Sequence, residues 1–336
     1  FKNVVIQSIT AIEAPIKITS AEISERLRPV MERFGFRPGL IEEITGIKSR
    51  RYWHLDTQPS DAATLAAEKV IEEAGIERDK IGVLINTSVC KDYLEPSTAC
   101  LVHGNLGLNE RCLNFDIGNA CLAFLNGMDV AARMIERGEV DYGLIVDAES
   151  SRHITEATIE RLSQPGVKRE QFQAEFASLT LGSGAAAIVM TSRKLAPHGH
   201  SYLGCVTRAA TQFNRLCYGQ MDRMVTDTRV LLTEGLKLAS KTFIAAREAL
   251  GWVVDELDQF IIHQVSKAHT DSLMKVLGLD PGKIFRIYPE LGNIGPAAVP
   301  IALVKAVEMG KIKRGDRIAL LGIGSGLNCS MAEIVW

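Results

Sequence analysis

Cys121 differs from the other six cysteines of the chain in its sequence setting. It follows an apolar run, "CLNFDI", and a Gly-Asn pair, and it opens a segment that is apolar nearly all round, "CLAFLNGMDVAARMI". This order predicts a strand, a tight turn and a buried helix with Cys121 in its first turn. Unpaired N–H groups at a helix start favour the nucleophilic thiolate. Cys121 is therefore a candidate for covalent catalysis, and a small buried residue is the alternative interpretation.

Two polar residues of the second half of the chain occupy similar settings. His263 ends the apolar run "QFII" and begins "HQVS", so it leaves a strand at the end where open α/β sheets place their sites. Asn293 lies in "GNIGPAAVP", before a predicted helix that accommodates Pro300 in its first turn. A lone histidine is more often structural, and Gly-Asn is more often only a turn. Alternatively, His263 and Asn293 lie close to Cys121 in the folded chain, and the three residues form one catalytic site.

The remaining cysteines and histidines do not form a metal site or a disulfide framework. Seven cysteines are an odd number without CxxC spacing, which indicates a reducing cytoplasm. The "HGH" motif at 198–200 lies in loop-like sequence with no ligand partner at useful spacing, so no metal is predicted. The six cysteines interpreted as small buried residues are Cys90, Cys100, Cys112, Cys205, Cys217 and Cys329.

Composition excludes several classes of partner. The 336 residues are 46% hydrophobic and 6% aromatic, which is typical of a globular protein, and 38 basic against 40 acidic residues give a net charge of -2. There is no polybasic run, so neither nucleic acid nor a membrane surface is a predicted partner. No apolar stretch reaches the roughly 18 to 20 residues of a membrane span, and the start, "FKNVVIQSIT", reads as a strand rather than a signal peptide.

Helical and strand patterns alternate along the chain, which is typical of an α/β fold. The halves also echo each other at an offset of roughly 175 residues: Gly118-Asn119 and Gly292-Asn293 each follow a predicted strand and precede a predicted helix. In a second echo, "IGVLINTS" parallels "DQFIIHQV". We therefore predict two copies of one unit, residues 1–193 and 194–336, that share an interface. Chance similarity between two βαβ segments is the alternative.

Several motifs resemble those of the thiolase superfamily, in its ketoacyl-ACP synthase III branch: "TGIKSRR", "NACLAF", "LGSGAAAIV", "HQVS", "GNIGPAAVP" and "LLGIGSGLNCSMAEIVW". The resemblance covers essentially the whole chain. Within that branch it is closest to the enzymes that join two long-chain fatty acyl-CoA molecules head to head at the start of bacterial olefin biosynthesis. It implies a duplicated βαβαβ unit in five αβαβα layers, and a homodimer.

The resemblance also implies a role for each candidate residue. Cys121 corresponds to the acyl-accepting nucleophile, and His263 with Asn293 to the pair that binds the thioester oxygen of the second substrate. Acyl transfer passes through a tetrahedral oxyanion, and an enolate also carries charge on oxygen, so two sets of donors are expected. The N–H groups of Cys121 and of Ser325, in "GIGSG", suit the first set because glycines let the backbone approach closely.

The loop "DYLEPST" carries the clearest departure from the synthase III pattern. Related sequences have an apolar residue at the position of Glu95, on a loop that reaches across the dimer and closes the partner's acyl pocket. Two plain acyl-CoA substrates cannot lose carbon dioxide, so one of them must lose an α-proton to a base. Glu95 would supply that base, strengthened by burial in a lipid-lined channel. A solvated glutamate before a proline is the alternative.

These observations predict an acyltransferase that condenses two fatty acyl-CoAs without decarboxylation and releases a β-keto acid. It would need no cofactor beyond the CoA of its substrates, and enzymes of the olefin pathway would act downstream. A decarboxylative 3-oxoacyl-ACP synthase III is the alternative, although Val265 and Ser266, where the family commonly has asparagine after "HQA", put carrier recognition in doubt. A catalytically silent subunit is the third reading. Arg50 and Arg51 are either CoA contacts or a solvated pair.

Overall fold

The computed structural model describes residues 1–336. The helices are α1 (Ser20–Arg26), α2 (Arg28–Arg33), α3 (Leu40–Thr45), α4 (Pro59–Ala74), α5 (Thr98–Leu106), α6 (Ala123–Glu136), α7 (Arg152–Leu162), α8 (Arg169–Glu175), α9 (Thr228–Leu250), α10 (Lys267–Leu277), α11 (Tyr288–Leu291) and α12 (Ala298–Glu308). The strands are β1 (Val4–Glu13), β2 (Ile16–Thr19), β3 (Ser49–Tyr52), β4 (Ile81–Asn86), β5 (Leu113–Asp116), β6 (Tyr142–Glu149), β7 (Gly184–Ser192), β8 (His200–Ala209), β9 (Cys217–Gly219), β10 (Met224–Thr226), β11 (Gln259–Ile262), β12 (Arg317–Gly324) and β13 (Asn328–Val335).

Nine strands form one mixed sheet in the order β11-β12-β13-β8-β1-β7-β6-β4-β5, and β2-β3 and β9-β10 form two small sheets. The large sheet consists of two halves with matching strand orders. Strands β1-β7-β6-β4 of the first half correspond in chain order to β8-β13-β12-β11 of the second, and β5 extends the first half by one strand. The first strands of the halves, β1 and β8, pair with each other at Val5–Ser201 and Ile6–His200. The duplication read from the sequence is thus present in the strand order.

The strands bury both faces, and the alternation of side chains along β7 shows how. Ala185, Ala187 and Val189 pack with α4 and α5, whereas Ala186, Ile188 and Met190 pack with α6 and α12 on the other face. The second half of the sheet packs α9 and α10 on its outer face. Helices α6 and α12 therefore lie in the middle of five layers, and the prediction of a layered α/β fold is confirmed.

The second half departs from the predicted echo in one element. Gly292-Asn293 follows helix α11 rather than a strand, so the predicted strand before this pair is wrong. Pro289, at the start of α11, suits the first turn of a helix and donates no hydrogen bond to a ladder. The second half has no full counterpart of strand β5. In its place, a single β-bridge joins Ile284 to Phe260.

Two further predictions concern boundaries and membranes. The predicted division at residue 193 falls between β7 and β8 and stays a prediction. In none of the helices do length and apolarity together suffice for crossing a membrane.

Candidate active site

Cys121 lies in a short 3₁₀ turn, Ala120–Leu122, that leads directly into the buried helix α6. The helix proper begins at Ala123, so Cys121 precedes it instead of lying in its first turn as predicted. Ala120 adopts a φ of 45° although it is not a glycine, a conformation that costs roughly 1 to 2 kcal/mol. A strained residue beside the candidate nucleophile must be held in place by its surroundings.

The end of strand β12 forms one wall beside Cys121. A Cβ added to Gly324 would lie 3.0 Å from the backbone nitrogen of Cys121 and 3.4 Å from its Cβ. Ser325 is the next residue, in the partly buried loop that joins β12 to β13. The structure therefore brings the Ser325 segment against Cys121, and a side chain at position 324 would press on the Cys121 backbone.

Asn293 is fixed at every backbone group. Its N–H donates to the carbonyl of Thr180 at 2.9 Å, and its carbonyl accepts from the N–H of Gly182 at 2.8 Å. Its side-chain Oδ1 accepts from the N–H of Gly295 at 3.1 Å, while Nδ2 makes no hydrogen bond within the chain. The amide is thus oriented with one free donor. The adjoining 3₁₀ turn, Gly295–Ala297, packs against the turn of Cys121, so these two sites of the echo meet.

His263 lies at the end of β11, where its N–H donates to the carbonyl of Leu321 at 2.7 Å. Only 1% of the residue is exposed. Burial, with a smaller contribution from neighbouring His269, lowers the pKa of His263 to about 3, although a backbone interaction with Gly295 acts in the opposite direction. The imidazole is therefore neutral at physiological pH, and it can donate or accept one hydrogen bond at each nitrogen without carrying a charge.

The electrostatics of Cys121 contradict the prediction of a thiolate. Burial raises the pKa of the thiol well above its ordinary value, and the charges of Cys217, Glu149 and Asp147 raise it further. The N–H of Cys121 itself acts in the opposite direction but is the weakest of these influences. Desolvation of a charge in the middle layer outweighs the helix start. The buried setting of Cys121 therefore favours the thiol over the thiolate.

Sequence reasoning missed Glu149, a carboxylate at the end of strand β6 that is only 5% exposed. Burial raises the pKa of Glu149 to about 7, opposed by the Cys90 side chain and by the N–H groups of Val89 and Cys90. Those N–H groups donate to its two oxygens at 2.6 and 3.3 Å. Glu149 therefore anchors the root of the loop that carries Glu95. An acidic residue inside the apolar run "GLIVDAE" is the signal that could have found it.

Glu149 also touches the turn of Asn293. A Cβ on Gly295, which has a φ of 52°, would lie 3.4 Å from the carboxyl carbon of Glu149. Two strand residues earlier, burial and the charge of Glu149 raise the pKa of Asp147 well above its ordinary value. The Thr87 hydroxyl lies 2.5 Å from Asp147 Oδ2 and 3.0 Å from the Val146 carbonyl. Because Thr87 has one proton for two acceptors, a proton on Asp147 satisfies both contacts.

Glu95 is not brought to the site of its own chain. It is exposed on the loop between β4 and α5, beside Tyr93, which is 59% exposed, and Leu94, which is 98% exposed. Behind this apolar tip, Asp92 accepts hydrogen bonds from the N–H and hydroxyl of Ser60, the latter at 2.6 Å. The loop is thus fixed at its base and projects an apolar tip and a carboxylate into solvent.

The arginine pair divides into two different environments. Arg50 is fully buried, and it donates to the Ser20 hydroxyl at 3.0 Å and to the Leu179 carbonyl at 2.8 Å. It is therefore neither solvated nor open to a CoA phosphate, and both interpretations are wrong for Arg50. Its Cβ packs beneath Gly292, where it supports the Asn293 turn. Arg51 pairs with Glu13 at 3.3 Å.

No group of histidine, cysteine, aspartate and glutamate side chains is arranged to hold a metal ion, and all seven cysteines are free. The site offers a thiol at a strained turn, a glycine loop against it, an amide beside the facing turn, and a neutral imidazole at the end of β11. With two copies of a βαβ unit meeting at buried helices α6 and α12, this fold and site define a thiolase-type condensing enzyme.

Comparison with known proteins agrees with that class. The family model 3-Oxoacyl-[acyl-carrier-protein (ACP)] synthase III matches residues 115–209, and its C terminal counterpart matches residues 247–336. A Xanthomonas campestris protein named acyl-CoA:acyl-CoA alkyltransferase is 58% identical over 336 residues, 100% of this chain and 99% of the relative. A Shewanella oneidensis protein of the same name is 36% identical over 352 residues, with the same coverage. The chain therefore belongs to the 3-oxoacyl-ACP synthase III family, a branch of the thiolase superfamily.

Solved structures give the same result for the fold. Xanthomonas campestris OleA, in a cysteine-to-serine variant with bound lauric acid and lauroyl-CoA, is 57% identical and superposes with a TM-score of 0.98 over 100% of both chains. Structures of the same protein carry single replacements of a cysteine, a histidine or a glutamate. The prediction of a thiolase-like fold is confirmed.

Proposed function

We propose that the protein condenses two long-chain fatty acyl-CoA molecules, without decarboxylation, and releases a β-keto acid for hydrocarbon synthesis. The observation that carries this proposal is the meeting of Cys121, against the Gly324 loop, with the turn of Asn293 and its free amide donor. This arrangement supplies a nucleophile and separate donors for two oxygens. Lauroyl-CoA bound to the Xanthomonas relative supports the choice of a long-chain acyl-CoA as substrate.

In the first half-reaction, the Cys121 sulfur attacks the thioester carbonyl of one acyl-CoA. As the sulfur gives up its proton, which ends on the departing CoA sulfur, the carbonyl oxygen becomes an oxyanion and the N–H groups of Cys121 and Ser325 donate to it. Collapse of the intermediate breaks the bond to the CoA sulfur, which leaves with a proton as free CoA. Because the resting thiol has a raised pKa, proton loss and attack are expected to occur together.

In the second half-reaction, Glu95 of the partner subunit removes an α-proton from the second acyl-CoA. His263 and the Nδ2 group of Asn293 donate to the oxygen of the resulting enolate, which a neutral imidazole can do. The α-carbon then attacks the acyl-Cys121 carbonyl and a carbon–carbon bond forms. The bond from that carbonyl carbon to the Cys121 sulfur breaks, and the cysteine becomes a thiol with the proton that Glu95 removed. Water finally hydrolyses the β-ketoacyl-CoA to the β-keto acid and CoA.

The separation of residues in the Xanthomonas relative supports these roles. Its replaced glutamate and cysteine are 26 residues apart, and its replaced cysteine and histidine are 142 residues apart. Glu95, Cys121 and His263 have the same separations. Three matched residue types at two matched intervals, in chains that align over their whole length, support Glu95 as a base rather than a solvated residue.

A homodimer would bring Glu95 to a second site. Strand β5 is the outer strand of the large sheet, and its Leu113 is 53% exposed. The neighbouring loop exposes Val89, Tyr93 and Leu94, a set of apolar side chains that water solvates poorly. An open sheet edge beside an apolar loop is a surface suited to a second copy of the chain. The seven free thiols fit a reducing cytoplasm, and reduction of the β-keto acid would follow downstream.

The experiment measures product by mass spectrometry with myristoyl-CoA alone and, separately, with acetyl-CoA and malonyl-ACP. The parent protein is expected to form the long β-keto acid, or the ketone left by its decarboxylation, from myristoyl-CoA alone. Glu95→Ala is expected to acquire one acyl group on Cys121 but to form no condensed product. Glu248→Ala, which removes an exposed glutamate from α9, serves as the matched control and is expected to behave as the parent.

Mixing two inactive variants tests delivery of Glu95 by the partner. A dimer of one Cys121→Ala subunit and one Glu95→Ala subunit holds one complete site, so random mixing should restore about a quarter of parental activity. No recovery after subunit exchange would place Glu95 in its own chain's site. Product only with malonyl-ACP, unaffected by Glu95→Ala, would identify the decarboxylative synthase instead.

A further inference from the structure

Three asparagine side chains form a hydrogen-bonded chain beside Cys121. Asn328 Nδ2 donates to Asn119 Oδ1 at 3.0 Å, and Asn119 Nδ2 donates to Asn126 Oδ1 at 2.7 Å. Asn126 Nδ2 then reaches the Ser330 hydroxyl at 3.4 Å, which lies 2.8 Å from the hydroxyl of Thr207. Each central amide accepts at its oxygen and donates at its nitrogen, so the chain is continuous from β13 to α6 and back to β13.

The first of these contacts joins two segments that are remote in sequence. Asn119 immediately precedes the strained Ala120 and Cys121, while Asn328 ends the loop that contains Ser325, 209 residues away. A Cβ on Gly326 would lie 2.6 Å from Asn328 Nδ2, so the Asn328 amide rests directly on the backbone of that loop. The Asn328 side chain therefore contacts both of the segments whose N–H groups are the proposed donors to the acyl oxygen.

Acyl transfer depends on the spacing between the two N–H donors of the oxyanion hole. An oxyanion hole stabilises its intermediate only when both donors lie about 2.7 to 3.1 Å from the same oxygen, and a misplacement of about 1 Å costs about 100-fold in rate. A left-handed alanine would relax toward ordinary backbone if nothing restrained it. Within the Ala120–Leu122 turn only backbone hydrogen bonds provide such a restraint, because the turn has no side-chain cap.

We propose that Asn119 and Asn328 are positioning residues, whose mutual hydrogen bond sets the spacing between the N–H groups of Cys121 and Ser325. They act through the backbone and need not touch the substrate. Asn126 and Ser330 complete the chain and fix the orientation of the Asn119 amide. This proposal rests on the proposed function, because it concerns the acylation half-reaction of that same site.

The experiment compares two reactions of the same cysteine. Acylation by myristoyl-CoA uses the oxyanion hole, whereas alkylation by iodoacetamide is a direct displacement at carbon and forms no oxyanion. Both rates are measured at Cys121 by mass spectrometry of the peptide that contains it, and KM for the acyl-CoA is taken from the acylation curve. The variants are Asn119→Ala, Asn328→Ala and the double variant, with Asn105→Ala, an exposed amide bonded to Thr64, as the matched control.

Each single variant is expected to acylate about 10- to 100-fold more slowly, with KM and alkylation changed less than about threefold. The double variant should lose little more than the worse single variant, because both remove one shared contact. Acylation at the parental rate, or acylation and alkylation that fall together, would overturn the proposal. If Asn119→Ala does not fold, Asn328→Ala removes the same hydrogen bond from β13. Failure of the parent itself to acylate would refute the proposed function instead.

Discussion

Replacing Glu149 by glutamine is expected to change how the stability of the fold depends on pH. Burial raises the pKa of Glu149 to about 7 in the folded chain, from an ordinary value of 4.5. Between pH 4.5 and about pH 7, Glu149 keeps a proton in the folded chain that it has released in the unfolded chain. The free energy of unfolding of the parent therefore falls as the pH rises. The penalty is absent below about 4.5 and complete above about 7.

The size of this effect follows from the two pKa values. Their difference corresponds to roughly 3 kcal/mol of unfolding free energy between pH 4.5 and pH 8. Glutamine carries no charge and escapes this penalty, but its amide can accept from only one of the Val89 and Cys90 N–H groups, at a pH-independent cost of about 1 to 3 kcal/mol. Glu149→Gln should therefore be less stable than the parent at pH 5 and equal or more stable at pH 8.

Urea unfolding at the two pH values measures the gap between parent and variant. Tryptophan fluorescence reports it well, because the indole of buried Trp53 donates to the backbone carbonyl of Glu149 at 3.1 Å. Glu72→Gln, at an exposed position of α4, is the control and should change stability by less than about 0.5 kcal/mol. A gap between parent and Glu149→Gln that stays the same at pH 5 and pH 8 would refute the assignment of a buried, poorly ionised carboxylate.

Two further predictions concern Cys121 directly. Gly324→Ala would place a Cβ 3.0 Å from the Cys121 nitrogen, so acylation should fall about 100-fold or more. The control Gly118→Ala, whose Cβ would meet nothing within 4 Å, should acylate normally. Equal acylation rates of the two variants in a stopped-flow assay of CoA release would contradict the close approach of Gly324 to Cys121. Because burial raises the pKa of the Cys121 thiol, its alkylation by iodoacetamide should still accelerate above pH 9. A plateau below pH 8.5 would instead indicate a stabilised thiolate.

The sequence allowed the fold to be predicted where local pattern and burial agree. Helix α4 ends at Gly75, which takes the left-handed conformation that a glycine stop predicts, and α6 is buried as its apolar composition requires. The segment around Pro289 could not be predicted in this way. Its echo in the first half is a strand, but a proline at the start of a four-residue helix decides the local conformation. Internal repeats predict the order of elements better than the type of each.

For the site, the sequence predicted where Cys121 and Asn293 lie, but not the protonation state of Cys121. The positions of Cys121 and Asn293 on facing turns follow from the internal echo. The raised pKa of Cys121 does not, because it depends on how much water the two copies exclude from the helices between them. Glu149 was missed for a related reason. An acidic residue in a strand can be recognised as part of a site only when its burial and the loop that it binds are known.

The same burial explains why a base would come from outside the chain. Within the middle layer, desolvation favours the neutral thiol of Cys121 and the neutral imidazole of His263, and it raises the pKa of Glu149 to about 7. Both Glu149 oxygens are moreover occupied by backbone N–H groups. A group that must arrive as a carboxylate and take a proton from carbon is better supplied by an exposed loop, which loses its water only when it enters the site. Glu95, which is exposed beside Leu94, fits that requirement if the proposed homodimer brings it into the site of a second copy of the chain.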